Sequence, residues 1–387
     1  MPEPTAEAES APRPGPERTA GGRPRPEGVL VIDKPRGPTS HDVVARLRRA
    51  LGVKRIGHAG TLDPMASGVL VVLVGEATKL APYLTAQDKR YTARVVLGVG
   101  TDTLDADGDV TATQPLPAWL DGELGALAAA GVPAGGEALA AAAPRIAAAL
   151  DAERARRAQT PPAYSAIKVA GQRSYALARA GQAVDLSARP VEVRSLTLAG
   201  ARRGEPGPLG GAPAAGAVPA AGAVPAADAA LDLELDVSKG YYVRSLARDV
   251  GAHLDVPAHL SALRRTASGA FTLEQAVPLD AGAEALRAAI RPLAEAAASS
   301  LPVARLTEHG VRRARLGQTL TESDFSAAPT QSGAAVWLDP EGHVVALGAP
   351  EVADDAGAHS SSTPPKARFS VLRGFSGSAD VRENPAV

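Results

Sequence analysis

The densest run of chemically capable residues is Gly57-His-Ala-Gly60-Thr-Leu-Asp63-Pro-Met-Ala-Ser-Gly68. Its three glycines permit tight backbone paths and close approach of a ligand. Asp63 precedes Pro64. A proline disfavours helical geometry in the residue before it, which holds the acid in an extended or turn conformation. A carboxylate fixed in this way can be aimed at a substrate as nucleophile or base. Aspartates also cap turns, and the pattern alone leaves both readings open.

Other chemistries lack their patterns. The chain has neither a Walker A loop nor G-x-G-x-x-G, and Gly98 and Gly100 form only an isolated pair. Ser165 and Ser245 have no G-x-S-x-G context. The seven histidines are scattered without a ligand-spaced cluster, and there is no cysteine. Disulfides, cysteine nucleophiles and thiolate metal sites are therefore excluded. No metal and no cofactor are expected.

The 387 residues suffice for a large core and a smaller module. Net charge is -1, but residues 28–60 carry seven Lys or Arg against two Asp, a local excess of five. Such a basic patch can steer a polyanion, and Arg46, Arg48, Arg49, Lys54 and Arg55 are its candidates for phosphate contact; a solvated face is the plainer alternative. The N-terminus has no apolar signal segment, and no membrane span is evident, so a cytoplasmic location is expected.

The elements that must position Asp63 read as follows. Val29–Ile32 is a short strand, and Pro38–Asp42 caps a helix whose apolar face is Val43, Val44, Leu47 and Ala50. Residues 57–68 form a loop, followed by a buried-type strand over Val69–Val74. Tyr91–Val99 is a further strand, and Thr101–Gly108 an acidic loop. Residues 115–158 are alanine-rich and helical; Gln159–Ile167 is a proline-containing loop, with a helix through Ser174–Arg179. Val191–Leu198 and Leu231–Val237 alternate as paired strands around a low-complexity insertion, 204–230. Tyr242–Leu254 is a helix with Val243, Leu246, Ala247, Val250 and Leu254 inward. One helix spans Ala283–Ala297, with Pro292 inside it, and short strands follow over Leu301–Leu347 and Ala367–Leu372. The class is α+β, a mixed or antiparallel sheet with flanking helices, because strands do not alternate strictly with helices.

Blocks along the chain then resemble one family. They are Gly28-Val-Leu-Val-Ile-Asp-Lys-Pro-Arg-Gly-Pro-Thr-Ser40, the Asp63 block, Gly75-Glu-Ala-Thr-Lys79 and Lys89-Arg-Tyr91. Gly100-Thr-Asp-Thr-Leu-Asp-Ala-Asp-Gly108, Gln159-Thr-Pro-Pro-Ala-Tyr-Ser-Ala-Ile-Lys168 and Ser238-Lys-Gly-Tyr-Tyr-Val-Arg-Ser-Leu246 complete the set. In order and spacing the sequence is similar to the TruB-type pseudouridine synthases, which act on position 55 in the T-loop of tRNA. The resemblance implies Asp63 as nucleophile, Tyr91 stacking on the target base, and Arg244 as a bidentate partner of Asp63. It also implies His58 supporting a flipped-out nucleotide, Lys34 and Tyr242 lining the pocket, and Lys168 contributing to substrate binding.

The implied organisation is a disordered extension 1–26, a catalytic domain 27–299 and a PUA-like RNA-binding domain 300–372, with a flexible tail 373–387. The implied partner is the T-arm of tRNA, for a monomer without an obligate protein partner or membrane. Arg312, Arg313 and Arg315 are further candidates for phosphate contact. Two other readings share the blocks: a guide-RNA-dependent synthase of ribosomal RNA, and a non-catalytic RNA-binding or folding factor.

Overall fold

The computed structural model describes residues 26–131, 136–203, 229–329, 333–351 and 367–376, except single positions 166, 170 and 183. The extension before Pro26, most of the 204–230 insertion and the tail beyond Ser376 lie outside the described residues.

One mixed sheet is the frame. Beside the two-residue segment Phe271–Thr272, its strands are β1 (Gly28–Lys34), β2 (Ile56–Ala59), β3 (Ser67–Val74), β4 (Lys89–Leu97), β5 (Val193–Arg203), β6 (Ala229–Val237), β7 (Ala258–Ser268) and β8 (Val277–Pro278). The order is β5-β6-β4-β7-β3-β1-β8, with β2 paired to β3 off this path. Only β3–β7 and β1–β8 are parallel on that path. The helices include α1 (Ser40–Leu51), α2 (Ala118–Ala130), α3 (Gly136–Ala142), α4 (Pro144–Arg154), α5 (Val243–His253), α6 (Ala283–Ala288) and α7 (Leu293–Ala298). This is the α+β class, not a doubly wound sheet.

Local chemistry explains the elements around Asp63. Thr39 caps α1 and forms a capping box with Asp42, while Gly52 closes the helix in the left-handed region. Val43, Val44, Leu47 and Leu51 are buried. The continuous apolar run of β3 serves two cores at once. Leu70, Val72 and Val74 join the core of α1 and α5, whereas Val69, Val71 and Leu73 join a second core on the other face. A strand covered on both faces has no polar side to alternate with.

Several expectations need correction. The stretch 57–59 is not loop: Gly57, His58 and Ala59 pair with Leu73, Val72 and Val71 in a β2–β3 ladder, so the free loop is residues 60–66. The helix expected over 283–297 is two, because Pro292 is extended (φ -53°, ψ 145°) and starts the second. Ala229 and Ala230 belong to β6, paired with Arg203 and Arg202, which shortens the insertion from 204–230.

The C-terminal region is a six-stranded sheet. It contains β9 (Val303–Leu306), α8 (Glu308–Arg315), β10 (Leu320–Thr321), β11 (Phe325–Ala327), β12 (Ala335–Leu338), β13 (Val344–Pro350) and β14 (Arg368–Gly374). The order is β10-β14-β13-β12-β9-β11. The ring of Phe325 meets Trp337 and Phe369 edge-on, with centroids 5.2 and 5.0 Å apart. Gly348 opposes the Trp337 ring so closely that a Cβ there would sit 1.9 Å from it. Val336, Leu338, Val344, Leu347 and Phe375 share the second core with β1 and β3. Strand β14 runs past the expected boundary at residue 372, and Phe375, which fell in the expected flexible tail, is buried.

Candidate active site

Asp63 stands on the loop between β2 and β3, with its side chain about one-third exposed (35%). Five successive carbonyls of that loop each have a donor. The Arg265 guanidinium donates to Gly60 O (3.0 Å) and Thr61 O (3.3 Å). Ser40 donates to Leu62 O (3.0 Å) and accepts from Leu62 N–H (2.9 Å). Ala66 N–H reaches Asp63 O, and Gly37 N–H reaches Pro64 O. The Lys34 ammonium donates to Pro35 O and Pro38 O (both 2.9 Å), and lies 3.4 Å from Pro64 O. Gly68, at φ +100°, lets the loop return under Arg265, since a Cβ would lie 2.2 Å from Arg265 O.

Arg244 enters from the first turn of α5 and joins three segments. Its Nη1 donates to Thr103 O (3.0 Å) and its Nη2 to Tyr164 O (2.9 Å). Its Nε lies 2.8 Å from Asp63 Oδ2 and 3.6 Å from Asp105 Oδ2. The expected bidentate pairing with Asp63 is thus not present. The terminal nitrogens are held by carbonyls, and the Nε–H is not aimed along the short contact, which makes it an ion pair rather than a directed hydrogen bond. Arg244 itself is 6% exposed, so its charge acts through little water.

Asp105 is the carboxylate missed in the sequence, where it reads only as part of an acidic turn. It is buried, accepts from Thr103 Oγ1 (2.6 Å) and Asp107 N–H (3.1 Å), and faces the same guanidinium as Asp63. Burial pushes its carboxyl above the ordinary range, and the Asp63 charge adds to that, against Thr103, Arg244 and Asp107. Next to it, Leu104 adopts φ 64°, a region costing a non-glycine residue about 1–2 kcal/mol. The turn is held there by β7, through Leu260 N–H to Leu104 O and Ala106 N–H to Leu260 O.

The other expected residues are distributed around this centre. Tyr91 is 8% exposed on β4, directly opposite Arg265 of β7, with its ring in the core beneath the loop. Tyr242 precedes α5; Gln159 fixes its backbone by donating to Tyr242 O (3.2 Å) and accepting from Tyr242 N–H (2.8 Å). Burial raises the Tyr242 phenol, with the Asp63 charge contributing in the same sense and Arg189 and Arg244 opposing. His58 on β2 meets the exposed His41 ring edge-on at 5.5 Å; burial, then the His41 and Arg265 charges, lower its imidazole.

Lys34 does not line an open pocket. It is 0% exposed beneath the loop, and burial lowers its ammonium to about 8 despite the opposing charge of Asp63. Lys168 lies in the short pair with residues 172–173, and its side chain is outside the described set. Lys54 is exposed on the approach to β2, whereas Arg55 is engaged with Glu76 and with Thr78 Oγ1 (2.8 Å). On α8, Arg313 is occupied by Asp324 (3.0 Å) and Thr319 O (2.6 Å), leaving Arg312 and Arg315 exposed.

A partly exposed carboxylate on a clamped loop, set against a buried guanidinium, is an arrangement capable of nucleophilic or acid–base work. Comparison with known proteins gives that class its family. The profile of the TruB family pseudouridylate synthase N-terminal domain matches residues 48–129 and 136–206, and that of the tRNA pseudouridylate synthase B C-terminal domain matches 244–298. The chain is 42% identical to tRNA pseudouridine synthase B of Thermobifida fusca (strain YX) over 324 residues, 83% of this chain and 94% of the relative. It is 40% identical to tRNA pseudouridine synthase B of Mycobacterium sp. (strain KMS) over 320 residues, 83% of this chain and 91% of the relative. Among solved structures, a chain of a Cbf5-Nop10-Gar1 complex superposes with a TM-score of 0.55 at 25% identity, covering 84% of this chain and 80% of that one. The chain belongs to the TruB family of pseudouridine synthases.

Proposed function

We propose that the protein isomerises uridine to pseudouridine in tRNA, at position 55 of the T-loop, with Asp63 as nucleophile. The observation that carries this reading is Asp63, on a loop whose carbonyls 60–64 each have a donor, paired with Arg244, in a chain sharing 42% identity with a tRNA pseudouridine synthase B. Arg244 sets a buried positive charge beside the carboxylate, where a polyanionic substrate must approach. The target uridine leaves the RNA stack to reach it, at a cost of a few kcal/mol. Stacking of the base on Tyr91 returns about 1–3 kcal/mol. The N1–C1′ bond breaks, the uracil turns, C5 bonds to C1′ and loses its proton, and N1 ends protonated, so that atoms and charge balance. The reaction is an isomerisation and consumes no redox or nucleotide cofactor.

In this reading the enzyme is a cytoplasmic monomer without an obligate protein partner. Among the described residues no helix is long and apolar enough to cross a membrane. Residues 300–372 form a PUA-like domain that adds grip on the T-arm through Arg312 and Arg315, and Lys54 contacts phosphate.

The test is incubation of the purified protein with unmodified tRNA and position-resolved pseudouridine mapping. Product at position 55 without any guide RNA is expected, with none from Asp63→Asn despite retained tRNA binding. Near-normal turnover by Asp63→Asn would remove the nucleophile assignment. Product confined to ribosomal RNA, and only with a guide RNA, would favour the guide-dependent alternative. Binding without product would favour the RNA-folding alternative.

A further inference from the structure

We propose that Arg265 is a positioning residue of this reaction: its guanidinium ties the Asp63 loop to the central strand of the sheet and so sets where the carboxylate meets the flipped nucleotide. The inference rests on the reading of Asp63 as the reacting group.

Arg265 is wholly buried, at 0% exposure. It lies on β7 between β4 and β3, directly opposite Tyr91 on one side and Gly68 on the other. The strand that carries Tyr91 and the strand that follows the Asp63 loop therefore meet at this residue. Its Nε donates to Val69 O (2.7 Å) on β3, and its two terminal nitrogens reach Gly60 O and Thr61 O. A planar fork with donors in three directions can hold two adjacent carbonyls and a third at once; an ammonium on a flexible stem cannot.

Its electrostatic setting argues against a purely structural strut. Among the described residues no carboxylate lies within ion-pair distance of it, and its partners are carbonyls only. Its charge is instead felt by Lys34, His58 and Lys89, all bases made harder to protonate by its presence. A buried cation among other basic groups is costly, and well-packed apolar residues often replace buried charges without loss of stability. The loop geometry it enforces is the compensating feature. Among the described residues, Ser40, Ala66, Gly37 and Lys34 hold the carbonyls from Leu62 to Pro64, and Arg265 alone holds those of Gly60 and Thr61 on the β2 side.

The experiment compares Arg265→Met, Arg265→Lys and Asp63→Asn with wild type in the full chain. Thermal midpoint, equilibrium binding of unmodified tRNA and the single-turnover rate at saturating enzyme are measured for each. Arg265→Met removes the buried charge while filling the space, and is expected to stay folded. Both Arg265 variants should bind tRNA within about threefold of wild type, yet lose about 100-fold in the saturated rate, the scale expected for a displacement of roughly 1 Å. A folded variant of either kind turning over near the wild-type rate would overturn the proposal. So would a rate loss that only follows a loss of folded protein or of tRNA affinity. An inactive Asp63→Asn beside fully active Arg265 variants sinks this inference alone, whereas an active Asp63→Asn sinks the underlying reading.

Discussion

The two large sheets of this molecule handle buried polarity in opposite ways. Around Asp63, Lys34, Arg244 and Arg265 are all buried, and each donates to main-chain carbonyls of loops. In the C-terminal sheet the centre is Trp337 with Phe325, Phe369 and small aliphatic residues. One of its buried acids, Asp324, caps local backbone and holds Arg313. Apolar packing fixes volume without fixing where a loop carbonyl points, while a guanidinium fork fixes direction at a desolvation cost. The first sheet therefore orients the loop that carries Asp63, and the second supplies shape and an exposed basic helix face. The shared core of Val29, Val31, Val71, Val336, Leu347 and Phe375 makes the two one packed body.

Changes in the first region should act on rate, and changes in the second on stability. The largest effect is expected from Arg244→Lys, which keeps the charge but cannot hold Thr103 O and Tyr164 O while facing Asp63. A loss of about 100- to 1,000-fold in the saturated single-turnover rate is expected, the range for removing one preorganised electrostatic contact. A rate within a few-fold of wild type would show that charge alone is sufficient.

Gly348→Ala should do the reverse. Its Cβ would fall inside the Trp337 ring. Overpacking of this kind costs about 1–3 kcal/mol, seen as a lower urea midpoint. The saturated rate of the folded fraction should stay unchanged; a rate loss exceeding the stability loss would mean that the C-terminal sheet helps organise the Asp63 site.

A smaller effect concerns salt. Lys54 is exposed, whereas Arg55 already serves Glu76. Lys54→Ala should flatten the dependence of log affinity on log salt by about 0.7–0.9 if it contacts one phosphate, and Arg55→Ala by less. Equal slopes for wild type and Lys54→Ala would reduce Lys54 to surface charge.

The smallest expected effect is a pH dependence. The native Lys34 ammonium titrates near about 8, against 10.5 for an ordinary lysine, because burial disfavours its charge. Between those values the unfolded chain holds more protons at this site than the native state, so native stability gains as pH rises through that window. Relative to Lys34→Met, the urea midpoint of wild type should improve between about pH 8 and about pH 10. A difference that stays constant with pH would contradict the assigned titration of Lys34.

By itself the sequence determined much of this protein. The capped helix at Thr39, the double-sided strand β3, the β5–β6 pair and the inward face of α5 follow from local capping and apolar period, which need no distant partner. Asp63 was legible because proline and glycines mark its loop, and Arg244, Tyr91 and Tyr242 because their blocks resemble a family. The tertiary structure alone decided the rest. Strand β7, the central link between β4 and β3, escaped the reading because Arg264 and Arg265 break its alternation. Those cations are stable there only because Asp33 pairs with Arg264 (2.7 Å) and loop carbonyls 60 and 61 receive Arg265, partners about 200 residues away in the chain. Asp105 looked like a turn residue until Arg244 was brought beside it, and Arg55 and Arg313 looked free until Glu76 and Asp324 met them. Helical and strand periods are written over a few neighbouring residues, but whether a charge is exposed, paired or turned onto a backbone carbonyl depends on which distant segment folds against it.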